Sequence, residues 1–292
     1  MGFKVILRGS NGDIERALKA VFDESALELV VAPNHDWSEA SSLSTFLGSL
    51  KPCAIVNYGE RPIDMTAEIA AVESLVEQCA SLNIPFIHLS SFRAVDTSDH
   101  EATDDIDELS IANANDEIGR HFAALESICA RVERHIILRL SWVLGGNLEN
   151  IFDDIVPQLL NGDSVFVSDH DFGRPVTIGA LANTLRALVQ QILCGAENWG
   201  TFNIHSSDKC SEAEFCDALV RIMQTDLDHA VQMPLVAGVD DDRRLLEGNA
   251  LLGGDRMTRN FGVQNTSWRK GLKATVKGYV DRHQALSDVG SG

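Results

Sequence analysis

Tyrosine is the rarest residue of this 292-residue chain, and lysine is missing from its middle. Its two tyrosines are Tyr58 and Tyr279, and no lysine occurs between Lys51 and Lys209. Four residues beyond the tyrosines stand Pro62 and His283, so neither phenol has a lysine one helical turn further on. Proton donation by a tyrosine whose pKa is lowered by such a lysine is therefore not expected. Long hydrophobic runs are also missing: none reaches the ~18–20 residues that cross a bilayer. The six cysteines are scattered and form no Cys-x-x-Cys, which predicts reduced, mostly buried thiols and a cytoplasmic setting. Positive charge is in deficit, with 24 Lys and Arg against 43 Asp and Glu and a formal net charge of -19. Nucleic acid and anionic membrane are polyanions, so neither is expected as a partner. A small-molecule ligand senses only local charge and stays open. The first residues, Met1 to Ile6, lead directly into a strand, and no signal peptide is expected.

What is present is an alternation of short apolar runs and helical patterns. The runs Phe3–Arg8, Leu27–Ala32, Cys53–Tyr58, Pro85–Leu89 and His135–Val143 read as strands. Between them, Asp13–Phe22, Glu39–Leu50, Asp64–Leu82 and Asn115–Arg134 read as helices. Near-continuous apolar strands separated by helices predict a doubly wound, Rossmann-like parallel sheet covered on both faces, the α/β class. A ligand is then expected beyond the carboxyl ends of the strands. Further on, Ile151–Leu160, Gly179–Leu193 and Ser211–Met223 read as helices, Gly200–His205 as a returning strand, and Trp268–Val280 as an amphipathic helix. The expected division is a dinucleotide-binding domain over 1–148 and a mixed region over 149–292. Part of that region (about 165–206) returns to the sheet, and part (about 207–285) forms a smaller C-terminal substrate lobe.

The first strand runs into Gly9-Ser10-Asn11-Gly12, followed by Asp13, Ile14 and a helix. Glycines at such a junction let backbone N–H groups approach a pyrophosphate, and the helix N-terminus adds partial positive charge. Gly9 and Gly12 fit Gly-x-x-Gly-x-x-Gly, but the third position is Glu15, so its side chain has to point away from the sheet or the helix has to sit further off. Acidic residues after the second strand hold the ribose 2′-hydroxyl of NAD. Here that strand ends Val31-Ala32-Pro33-Asn34-His35 with no carboxylate at its tip, and Arg8 precedes the first glycine. Both features favour NADP over NAD, although Arg8 could instead pair with a carboxylate. The expected cofactor contacts are Arg8, Gly9, Ser10, Asn11, Gly12, Asp13, Ile14, Asn34, His35, Asn57, Ser90 and Ser91. No metal ligand set is expected.

Several stretches together resemble the dTDP-4-dehydrorhamnose reductase branch of the extended short-chain dehydrogenase/reductases. They are Arg139-Leu-Ser-Trp142-Val-Leu-Gly145, Asp169-His-Asp-Phe172-Gly173-Arg-Pro175, Asn203-Ile-His205 with Glu214-Phe215, and Phe261-Gly262-Val263 followed by Trp268 and Leu272. The resemblance runs from about residue 3 to 280. It implies a catalytic hydroxyl at Ser91, in His88-Leu-Ser90-Ser91. It also places the family's Tyr-Gly-x-x-Lys-x-x-Gly-Glu on Ala112 to Arg120, with Gly119 retained. Ala112 then stands for the tyrosine and Asp116 for the lysine, so the usual proton donor and its cation are both replaced, leaving Ser91 as the residual hydroxyl.

Other polar residues read more plainly. His88, ending an apolar strand, is expected as a buried structural histidine. Asp169-His170-Asp171 reads as a loop, and the seven carboxylates from Asp96 to Glu108 as a solvated one. Trp142 and Phe172 either stack on a planar ring or pack in the core. Three functions stay open: an NADP-binding sensor or regulatory protein without carbonyl-reductase catalysis, an NADPH-dependent reductase of a flavin or quinone acceptor, and a scaffold without cofactor, which Glu15 would permit. A homodimer or a regulatory partner protein is compatible with each.

Overall fold

The computed structural model of the chain describes residues 2–9, 12–31, 36–59, 65–97, 105–145, 151–237 and 249–290, with the backbone alone for 151–154 and 283–290. The N-terminal half alternates β1 (Phe3–Arg8), α1 (Gly12–Asp23), β2 (Leu27–Val31), α2 (Ala40–Leu50), β3 (Ala54–Asn57), α3 (Met65–Leu82), β4 (Phe86–Ser91), α4 (Glu117–Cys129) and β5 (His135–Leu140). Next come β6 (Val143–Leu144), α5 (Ile151–Asn161), β7 (Phe166–Val167), β8 (Phe172–Gly173), β9 (Val176–Thr177), α6 (Ile178–Leu193) and β10 (Gly200–Ile204). The chain closes with β11 (Cys210–Ser211), α7 (Glu212–Asp226), β12 (Leu235–Val236), α8 (Arg256–Phe261) and α9 (Leu272–Gly290).

Six strands form one parallel sheet in the order β10-β5-β4-β3-β1-β2. The expected doubly wound α/β fold is present. From β1 the chain steps outward to β2 and then crosses back to β3, so the winding reverses between β1 and β3. Such a reversal leaves a crevice beyond the strands' carboxyl ends.

Side chains alternate across the strands and build two cores. Val5, Leu7, Val56, Ile87 and Leu89 pack with Ile14, Leu18, Leu181 and Leu185 of α1 and α6. On the other face Ile6, Ile55, Phe86 and Ile137 pack with Leu43, Leu75 and Leu125 of α2, α3 and α4. A third cluster joins Trp142, Val156, Phe215, Trp268 and Val276, so α5, α7 and α9 share a core of their own.

Some element ends differ from expectation for visible reasons. The fifth strand stops at Leu140, because the Ser141 hydroxyl donates to the Ala250 carbonyl at 2.8 Å and accepts from the Arg174 amide at 3.0 Å. Val143 and Leu144 then pair with Val176 and Thr177 instead. Helix α4 starts at Glu117 because the Asp116 side chain caps it, accepting from the Gly119 amide at 2.9 Å. It ends five residues before Arg134, where Arg131 and Val132 donate to carbonyls three residues back. Those tight turns bury Val132 and aim the chain into β5. Trp268 lies before α9, fully buried against Phe215.

Candidate functional site

The turn after β1 sits in the crevice at the switch point. Gly9 has φ +73°, and a Cβ there would stand 2.1 Å from the Gly59 carbonyl oxygen. The loops leaving β1 and β3 therefore touch backbone to backbone, which only glycine allows. Gly12 opens α1, and among the described residues a Cβ there would meet only the flexible Arg16 guanidinium, 2.9 Å away. Among the described residues no rigid atom requires a bare position at Gly12, which leaves space beside the helix N-terminus. Ile14 anchors the helix in the core with no exposed surface. Glu15 pairs along the helix with Lys19, so a glutamate is accommodated where a third glycine was expected. The Asp13 carboxylate accepts from Arg16 and, at 3.0 Å, from Arg282 of α9. Ser10, Asn11, Asn34 and His35 lie outside the described residues.

The structure corrects three of the expected contacts. Arg8 points away from the turn, into the α3 side of the sheet. Its guanidinium grips Glu68 with two bonds of 2.7 Å and donates to Asn57 Oδ1 at 2.8 Å, with both charged side chains at or below 5% exposure. A fork used in this way cannot also grip a 2′-phosphate. Asn57 is likewise enclosed, its amide nitrogen 2.9 Å from His88 Nδ1. Ser90 donates to Glu126 at 2.6 Å on the same hidden face. The physical reason is strand alternation: Arg8, Asn57, His88 and Ser90 all share the α3/α4 face, whereas Ser91 falls on the other.

These residues belong to a buried polar layer. Glu126 of α4 takes a second arginine, Arg139 of β5, in a pair that is also bidentate, the Nη2 contact being 2.8 Å. His88 lies between the two ion pairs and is 1% exposed. Burial, then the charges of Arg8 and His121, push its pKa down to about 3, so it is neutral at ordinary pH. Its Nε2 has no hydrogen-bond partner among the described residues. The expectation of a buried structural histidine fits this position.

Ser91, the residual hydroxyl, is half-buried and accepts from the Arg93 amide at 3.2 Å, capping a short turn of 3₁₀ helix over Phe92–Ala94. The segment equated with the tyrosine and lysine runs just before α4. Ala112 is half-buried, and Asp116 both caps α4 and pairs with Arg93 at 3.2 Å. Partial burial works against the Asp116 charge, but the Gly119 amide and Arg93 outweigh it and hold the carboxyl below its ordinary value. An anion stands where the resemblance calls for a cation. Both tyrosines are elsewhere: Tyr58 is buried among the α1/α6-side residues and Tyr279 lies on α9 against the third core.

The remaining candidates take structural places. Trp142 is buried with its ring against Gly173, where a Cβ would approach to 2.5 Å. Phe172 is half-buried with Lys209 Nζ 5.3 Å from its ring centre. The acidic run is not wholly solvated at its described end: Asp105 pairs with Arg174 at 3.1 Å, and buried Glu108 accepts from the Arg256 amide. At Asp169-His170-Asp171, the backbone amides of His170 and Asp171 both donate to Ser168 Oγ, a loop arrangement. Among the described residues no three His, Cys, Asp or Glu side chains are placed to hold a metal, and no helix is long and apolar enough to cross a membrane. All six cysteines are free, with Cys79, Cys129, Cys210 and Cys216 buried. Glu68, Glu126 and Arg139 could have been suspected from sequence as charges inside apolar segments. Nothing in the sequence pairs them.

A doubly wound sheet with a glycine turn at its switch point defines the dinucleotide-binding class of α/β architecture. Within it, the chain belongs to the RmlD substrate binding domain family, which matches residues 3–280. A dTDP-4-dehydrorhamnose reductase of Aggregatibacter actinomycetemcomitans is 22% identical, covering 95% of this chain and 99% of that protein. Among solved structures, a dTDP-4-dehydrorhamnose reductase of Clostridium acetobutylicum superposes with TM-score 0.79 at 17% identity, covering 97% of this chain and all of that one. Another from Bacillus anthracis, crystallised in complex with NADP, gives TM-score 0.75 at 16% identity over 94% of this chain and 98% of that one.

Proposed function

We propose that this chain binds NADP(H) at the turn from Gly9 to Ile14 and lacks the carbonyl-reductase chemistry of its relatives, acting as a nucleotide-responsive sensor or regulatory protein. The observation that carries the reading is the pairing of an intact glycine turn with Asp116 as an arginine-bound helix cap. Gly9, Gly12 and the α1 N-terminus fit a dinucleotide: they offer backbone approach, open space and partial positive charge. The relative crystallised with NADP supports the choice of cofactor. The preference for NADPH over NADH rests on the absence of a carboxylate at the tip of β2 and no longer on Arg8.

When bound, the cofactor would supply a hydride. The protein supplies no matched acid to complete carbonyl reduction. Ser91 is a hydroxyl with a pKa far above neutrality, and no tyrosine or lysine sits in the segment from Ala112 to Asp116. General-acid help contributes roughly 10²–10⁴-fold, and loss of ribose positioning adds to the deficit. Mixing protein, NADPH and a dTDP-linked 4-keto-6-deoxy sugar should therefore give product at least ~10²-fold more slowly than an active relative measured alongside. Turnover at the relative's rate would refute the reading. A parallel mixture with free flavin tests the other redox chemistry compatible with the cofactor, because reduced flavin takes its proton from water. NADPH consumption above the protein-free control would replace the sensor reading with a flavin reductase.

A further inference from the structure

We propose that Arg16 and Arg282 form a two-arginine clamp for a phosphate of the bound dinucleotide, with the Asp13 carboxylate as the internal anion that holds the clamp until the ligand arrives. The inference rests on the dinucleotide reading above and adds the residues that recognise its charge.

The geometry converges on one point. Asp13 stands in the first turn of α1, next to Gly12. Its Oδ1 accepts from Arg16 Nη2 and its Oδ2 from Arg282 Nη2 at 3.0 Å. The Arg16 guanidinium also lies over the bare face of Gly12. Two cations thus meet a single carboxylate in the first turn of a helix, where the helix dipole favours a phosphate. Each guanidinium carries five N–H donors, and among the described residues each gives one to Asp13. Arg16 is 59% exposed and Arg282 44%, so the remaining donors can turn to a ligand.

Charge makes such a clamp necessary. The chain carries a net charge of -19, and the first turn of α1 is itself acidic at Asp13 and Glu15. A helix terminus offers only about half a positive charge, whereas a pyrophosphate brings two negative ones and a 2′-phosphate more. Arg8 is locked to Glu68 in the interior, and the exposed Lys19 is drawn along the helix to Glu15. Among the described residues, Arg16 and Arg282 are the cations that meet at the turn.

Arg282 is also placed from a distance. The Tyr279 ring lies 5.9 Å from its guanidinium carbon, and Leu272, Val276 and Val280 fix the first half of α9 in the third core. A phosphate held by Arg282 would therefore join the C-terminal lobe to the glycine turn.

Opposite signs from two neighbouring substitutions test the clamp. NADPH is titrated at low salt against wild type, Arg282→Gln, Arg16→Gln and Asp13→Asn, with thermal melting as a check on folding. Each arginine variant should weaken binding about five- to tenfold, and the loss should shrink at high salt. Asp13→Asn should tighten binding a few-fold, because it removes the competing anion and frees both arginines. A purely structural link between α9 and α1 would make Asp13→Asn and Arg282→Gln fail in the same direction. Weaker binding by Asp13→Asn, or wild-type affinity in both arginine variants, would overturn the clamp while leaving the dinucleotide reading in place. Failure of wild type to bind either NADPH or NADH would overturn the dinucleotide reading itself.

Discussion

Replacing Arg8 by alanine should destabilise the protein severely and leave its choice between NADPH and NADH unchanged. The side chain is 3% exposed and closes a bidentate pair with Glu68, itself 5% exposed. Its loss strands a carboxylate in the interior and leaves Asn57 Oδ1 without that donor. Breaking a buried pair by removing one member costs about 3–5 kcal/mol, a large share of the ~5–15 kcal/mol that holds a typical domain folded. The thermal midpoint should fall by roughly 10 °C. Substituting both members together, Arg8→Met with Glu68→Leu, should recover much of the loss, because no unpaired charge remains. The ratio of NADPH to NADH affinity in the folded fraction should match wild type, since the guanidinium faces α3 and not the turn. An Arg8→Ala protein that melts normally but binds NADPH selectively worse would show that the arginine reads the 2′-phosphate after all.

Gly9→Ala should do comparable damage from the other side of the same junction. The new Cβ would stand 2.1 Å from the Gly59 carbonyl oxygen and 2.4 Å from its carbonyl carbon, and these are backbone atoms at the end of a buried strand. A positive φ of +73° adds about 1 kcal/mol or more for any residue with a Cβ. Relief requires β1 and β3 to separate, which would disturb the central strand pairs of the sheet. The expected result is a protein that accumulates poorly or melts many degrees lower, read by thermal unfolding and by limited proteolysis. A Gly9→Ala protein with wild-type melting would mean that the two loops do not touch.

Much of this fold was legible because the sequence separates its signals cleanly. Apolar runs such as Val5 to Leu7 and Ala54 to Val56 read as buried strands in a covered parallel sheet. The glycine turn was legible from spacing, and its third-position glutamate pairs with Lys19 along α1. Arg8 was misread because proximity in sequence was taken for proximity in space. Strand alternation carried the missing signal, since Arg8 follows Ile6 onto the α3 side of β1. The partners Glu68 and Glu126 lie 60 and 13 residues from their arginines. Only the finished packing of α3 and α4 on the sheet brings them together. Arg282 was out of reach for the same reason, since 269 residues separate it from Asp13. The early end of α4 was hidden because Ala130 to Arg134 contains no helix breaker, and the burial of Val132 decides the exit.

Titrating NADPH into wild type and Gly12→Val, followed by the fluorescence of the bound nicotinamide, tests the central claim most directly. Among the described residues a Cβ at Gly12 meets only the movable tip of Arg16, so folding should survive and the two proteins should melt together. That side chain would fill the space next to the helix N-terminus where the phosphates are expected. Saturable binding by wild type, with Gly12→Val weaker by at least an order of magnitude, is the predicted result. No binding by wild type, or equal binding by both proteins, would contradict the account.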